Sequence, residues 1–104
     1  MKVLYDHHRM PVRLTDERLS HILDHPEMSG MESAIAETLR KPESVIQSRS
    51  EAGARLYYRL YPGTQVGEKY LCIVVKVLQE DAFILTAYLT DRLKRGEVIW
   101  SAAP

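Results

Sequence analysis

Residues 55–61 read Arg-Leu-Tyr-Tyr-Arg-Leu-Tyr, and a period of two puts Arg55, Tyr57, Arg59 and Tyr61 on one side, with Leu56, Tyr58 and Leu60 on the other. In the runs 70–78 and 82–90 the same period leaves Lys76, Thr86 and Tyr88 on the more mixed side of each segment. Brought together on one sheet face, these residues carry the equipment for holding a phosphodiester. Guanidinium forks suit phosphate oxygens, aromatic faces suit stacked bases, and hydroxyls suit positioning. Lys76 stands inside an otherwise apolar strand, so its ammonium must reach solvent or find a partner. The same composition also suits an outer face that only meets water, with Arg, Tyr and Thr pairing across strands.

His21 and His25 are spaced as neighbours one helical turn apart, and imidazoles that titrate near neutrality serve as general acids and bases. The same pair has a structural reading as two solvated helix histidines. A metal site is not expected, because zinc needs further ligands than one cysteine and scattered carboxylates supply, and the adjacent His7 and His8 sit in a loop-like stretch. No cofactor is expected either: there is no glycine-rich phosphate loop, no CxxC pair and no GxSxG. Cys72, the single cysteine, lies in mid-strand and reads as a small core residue. Arg92, Lys94 and Arg95 form a local basic patch, a candidate substrate-binding element along with Arg55 and Tyr57.

Three regions must position these groups. Thr15, Asp16 and Glu17 open a first helix with a capping hydroxyl and two carboxylates at its positive end, and Pro26 stops it near His25. Ser29 and Glu32 have the capping-box spacing for a second helix that runs to Arg40 and Lys41 before Pro42. From residue 43 the period changes to two, giving strands near 45–49, 55–61, 70–78 and 82–90. Gln79, Glu80 and Asp81 are too short a break for anything but an antiparallel hairpin. The expected plan is therefore α+β, with two N-terminal helices packed on one face of a four-stranded antiparallel sheet.

The 104 residues fit a single domain: an N-terminal arm at 1–13, a helical part at 14–41, an antiparallel meander at 43–90 and a C-terminal segment at 91–104. Lys2 to Tyr5 reads as a short edge strand, and Val98 to Trp100 is expected to fold back on the sheet. Fourteen basic residues balance fourteen acidic ones, so attraction to a polyanion has to come from a patch and not from net charge. No stretch approaches the roughly 18 apolar residues of a membrane span. With a single cysteine as well, a cytoplasmic location with no membrane partner is expected.

The order of these features resembles the phage and bacterial branch of the barnase/EndoU/colicin/RelE-like nuclease superfamily. The resemblance rests on LTDERLSHILDHPE, AIAETLRKPESVI, RLYYRLY, YLCIVVKV and LTAYLT, followed by a basic stretch and a tryptophan, and it covers roughly residues 14–100. It implies a RelE/barnase-like fold and metal-independent RNA cleavage by 2′-hydroxyl attack. The helix base would fall on His25 or His21, the strand cation on Arg59 or Lys76, and the hydroxyl on Thr86 with Tyr88 beside it. It also implies RNA as partner, transfer RNA or ribosome-associated RNA included, and an inhibitory protein partner. A non-catalytic RNA- or protein-binding module of the same fold is the alternative.

Overall fold

The computed structural model describes residues 1–103. Strand β1 (Lys2–Tyr5) and strand β2 (Pro11–Leu14) form a hairpin, followed by helix α1 (Asp16–Leu23), a single 3-10 turn (Pro26–Met28) and helix α2 (Glu32–Arg40). Strands β3 (Ser44–Gln47), β4 (Ala54–Thr64), β5 (Gly67–Val77), β6 (Ala82–Thr90) and β7 (Val98–Ser101) complete the chain. All seven strands join one sheet in the order β1-β2-β6-β5-β4-β3-β7. The pairing is antiparallel except between β2 and β6, which run parallel at Arg13 and Phe83.

The fold is α+β, but the expected four-stranded antiparallel sheet, and with it the RelE/barnase-like arrangement, is corrected to a seven-stranded mixed one. Three short strands account for the difference: β1 and β7 fall where an edge strand and a returning segment are expected, and β2 lies in what reads as the arm and the start of the helical part. The expected arm becomes a hairpin because Asp6 closes its loop. Its carboxylate accepts from the His8 and Met10 amides at 2.9 and 2.8 Å, and Arg9 takes a left-handed φ of +64° between them. β2 is then anchored to the β5–β6 turn by a two-pronged pair between Arg13 and Asp81, at 2.9 and 2.6 Å. Arg13 also holds the Asp81 carboxyl below its usual range, chiefly by hydrogen bonding.

Thr15 caps α1 as expected, accepting from the Arg18 amide at 3.1 Å. The helix stops at Leu23, two residues short of His25, which instead precedes the 3-10 turn in an extended conformation. The Ser29–Glu32 capping box does not form: Ser29 closes the 3-10 turn, and Met31 precedes α2 without a side-chain cap. The β4–β5 hairpin is longer than its Pro and Gly content suggests. Both strands run on to Thr64 and Gly67, where the turn needs the positive φ of Gly67.

Both faces of the sheet are buried at its centre. On the helix side, Ile22, Met28, Ile35 and Leu39 pack on Val12, Leu14, Val45, Tyr57, Leu71, Ile73, Val75, Ile84 and Ala87. On the other side, Ile46, Ala54, Leu56, Tyr58, Cys72 and Val74 form a second cluster. A bulge at Leu85 shifts the alternation of β6, so Ile84 and Ala87 face the helices while Thr86 lies beside Val74 on the second face. Arg18 donates to the carbonyl of that bulged residue at 3.0 Å. The segment 91–97 crosses the second face as a strap. The Lys94 amide donates to the Tyr58 hydroxyl at 3.0 Å, and the Gln47 amide donates to the Glu97 carbonyl at 2.8 Å. Gly96 lies so close to the Gln47 carbonyl that a Cβ there would collide with it.

Candidate functional site

The expected phosphodiester face does not exist as one surface. In the β4–β5 register Arg55, Tyr57 and Arg59 sit opposite Val75, Ile73 and Leu71, on the helix side, whereas Lys76 sits opposite Ala54 on the second face. Thr86 and Tyr88, opposite Val74 and Cys72, share the face of Lys76. Arg59 and Lys76 therefore cannot grip the same phosphate, and the arrangement that pairs them is corrected by the register. The sequence period for β4 is right, but its polarity is inverted. Tyr57 is a core residue, because a phenol with an acceptor waiting for its hydroxyl buries as readily as a leucine.

Each of these cations has a structural partner. Arg59 donates to the Lys41 carbonyl at 2.9 Å, and its Nε lies 3.7 Å from Glu37. Glu37 also accepts from Tyr61, whose hydroxyl burial pushes up to about 12. Lys76 reaches the Ala52 carbonyl and Glu51, so the lysine in the apolar strand has found its partners. His21 and His25 are exposed, with ring centroids 5.8 Å apart, and His25 faces Glu27 at 3.9 Å. Tyr88 lies under the strap with Lys94 5.7 Å from its ring centroid, and burial pushes its hydroxyl up. Burial likewise raises the Cys72 thiol, although the Tyr88 and Tyr58 hydroxyls oppose the rise.

A different cluster of chemically competent groups comes together at the far end of the helix-side face. The loop of the β1–β2 hairpin reaches over β4 to β7 and places His7 and His8 against Trp100, with Arg55 completing the wall. His7, His8, Val45, Arg55, Ile99 and Trp100 enclose a pocket of about 200 Å³. A register shift in the β3–β7 ladder, where Trp100 pairs with Val45 and Val98 with Ile46, leaves Ile99 as the extra residue. Bulges of this kind re-aim side chains, and here Ile99 and Trp100 both line the pocket.

Asp6 fixes this arrangement from below. It is 3% exposed, and besides its two loop amides it accepts from the Tyr57 hydroxyl at 2.8 Å. Burial first, and that bond second, push the Tyr57 hydroxyl far above its usual range. His7 has a side chain only 10% exposed, and neither ring nitrogen has a hydrogen-bond partner. The nearest carboxylate oxygen, on Asp6, is 3.9 Å away, beyond bonding distance. His7 packs instead on His8 at 3.9 Å, Trp100 at 4.4 Å and the edge of Tyr57 at 5.9 Å between ring centroids. Burial lowers its pKa, His8 and Arg55 add to the effect, and Asp6 partly offsets it, so the ring is neutral at pH 7.

A neutral imidazole with two unused nitrogens, a guanidinium and an indole around one small cavity can accept a proton, stabilise negative charge and stack a planar ring. Of the expected site residues only Arg55 lines it, with Tyr57 beneath. The sequence does contain a signal for the rest: Asp6-His7-His8 is an acid followed by two imidazoles. A loop position gives no indication that they would be carried onto Trp100. Among the described residues no group of three or more His, Cys, Asp or Glu side chains is placed to hold a metal ion, and no helix is long and apolar enough to cross a membrane. No protein-family model matches the chain, and no curated protein or solved structure does so either.

Proposed function

We propose that the chain is an endoribonuclease-like domain whose reaction centre is the pocket of His7, His8, Arg55 and Trp100. The reaction class is taken from the sequence resemblance, whose residues 14–100 do not include His7 or His8, and its placement rests on one observation: a nine-tenths buried imidazole, with both nitrogens unpartnered, lines a cavity with an arginine on its wall. Buried polar atoms without partners are uncommon, and a ligand atom is one of the few ways to satisfy them. In this reading His7 takes the proton of a ribose 2′-hydroxyl as that oxygen attacks the adjacent phosphorus. Arg55 stabilises the charge gained by the phosphorane, and His8 at the rim delivers a proton to the departing 5′-oxygen. The products are a 2′,3′-cyclic phosphate and a free 5′-hydroxyl. Trp100 holds the neighbouring base by stacking. Each positioned acid or base contributes about 10² to 10⁴ in rate, and Arg55 contributes by preorganised charge.

The test is incubation of the protein with RNA in EDTA, followed by analysis of the ends formed. Cyclic phosphate ends are expected from wild type. His7→Gln and Arg55→Ala should lower the rate by about 10² or more, while Arg59→Ala and Lys76→Ala should retain it. Absence of cleavage would remove the proposal. Binding without turnover would favour the module that holds RNA and does no chemistry.

A further inference from the structure

The strap 91–97 and the pocket lie on opposite faces of the sheet, yet they are joined through β7. The strap carries Arg92, Lys94 and Arg95, all exposed, and among the described residues none of the three has a carboxylate within ion-pair distance. The acid that opens the segment, Asp91, is taken up by Lys69. The strap is also held in place, by the Lys94 amide on Tyr58, the Glu97 carbonyl on Gln47 and the close approach of Gly96. It runs directly into β7, the last strand of the sheet, whose outer edge is unpaired among the described residues and whose Val98 and Ile99 are exposed. Ile99 and Trp100 then line the pocket.

Resting on the pocket reading above, we infer that the substrate is single-stranded RNA that folds over the free edge of β7, with one nucleotide in the pocket and its neighbours' phosphates on the strap. Two physical limits select a single strand. Stacking on Trp100 needs a base free of its own partner, which a duplex does not offer. Passing from one sheet face to the other around a single strand also demands a sharp bend. A stiff duplex resists it (double-stranded DNA, for comparison, has a persistence length of about 50 nm), whereas a single strand does not. The exposed Val98 and Ile99 at the edge offer apolar contact to sugars and bases, and the three cations take the phosphates as they arrive on the second face.

Binding is read by fluorescence anisotropy with the intact chain, using single-stranded RNA of about twelve nucleotides, its duplex form and a dinucleotide. Cleavage is read in parallel. Wild type should prefer the single strand to the duplex by about tenfold or more, with affinity falling steeply between about 50 and 200 mM salt. In R92A/K94A/R95A the slope of log affinity against log salt should flatten by about 2, from three phosphate contacts at roughly 0.7 each. The advantage of the long strand over the dinucleotide should shrink accordingly. R92K/R95K, which keeps the charge, should restore the slope and shows that loss of fold is not the cause. An unchanged slope in the triple variant, or equal binding of duplex and single strand, overturns the inference. If the single strand binds with the expected slope but is never cleaved, the track stands and the chemistry of the pocket fails.

Discussion

Tyr57 and Tyr58 are adjacent in β4 and point to opposite faces of the sheet. Each is completely buried, and burial raises each hydroxyl well above its usual range. Tyr57 donates to Asp6, a carboxylate belonging to a loop from the other end of the sheet, and the space above that loop is left open as a pocket. Tyr58 accepts from the backbone of Lys94, in a strap that lies over it and closes the face. One tyrosine therefore supports a cavity lined by polar groups without partners, and the other supports a seal. A phenol can secure a crossing segment by either sign of hydrogen bond. What remains above it depends on how the segment lies: the hairpin loop leaves His7 beside an open space, whereas the strap lies on Tyr58 and leaves Arg92, Lys94 and Arg95 exposed.

The comparison breaks most sharply at Asp6. Asp6→Ala leaves the Tyr57 hydroxyl and two loop amides without an acceptor, so it should cost about 3 kcal/mol in urea unfolding and abolish the proposed RNA cleavage together with stability. On the sealed side, Gly96→Ala forces a Cβ into the Gln47 carbonyl and should cost about 2 kcal/mol while leaving Asp6 and its loop in place. If it costs nothing, the strap is not held as described.

A smaller effect separates the two faces by pH. His7 has a folded-state pKa below the ordinary 6.5, so the unfolded chain binds its proton more readily. Its contribution to stability is fully present above pH 6.5 and is lost as pH falls through the depressed folded value. Trp100 is the only tryptophan and lies against that ring, so its fluorescence should follow the titration. His7→Phe should remove this part of the acid sensitivity, and an acid limb identical to wild type would show that His7 does not couple to folding. The smallest change is expected at Lys76→Ala, within about 0.5 kcal/mol, because its partner Glu51 is solvent-exposed.

How far the sequence could be read follows from the length of each pattern. β4, β5 and β6 are long enough for a period of two to be visible, and α1 is announced by Thr15 and the two acids after it. β1 and the return of Val98–Trp100 to the sheet were legible too, but β2 and the place of the short outer strands in the sheet were not, because these are decided by partners far along the chain: Arg13 with Asp81, and Trp100 with Val45. The sidedness of β4 was illegible for another reason. With leucines on one side and tyrosines on both, amphipathic reasoning assigns the arginine side to solvent. Yet Arg55 and Arg59 sit near the margins of the helix layer, where their heads find Lys41, Glu37 or the pocket wall while Tyr57 fills the core between them. Arg55 and Tyr57 were thus visible as residues of interest, and His7 and His8 as adjacent imidazoles, but their meeting with Trp100 was not, since nothing local in the sequence draws those positions together.

The wall shared by residues 7 and 100 also sets an order of events during synthesis. The hairpin loop leaves the ribosome early, but its imidazoles have no indole to pack on until β7 has emerged and paired with β3. Until that strand is in place the imidazoles are present without the wall they pack on, so the pocket is assembled only when the last strand joins the sheet.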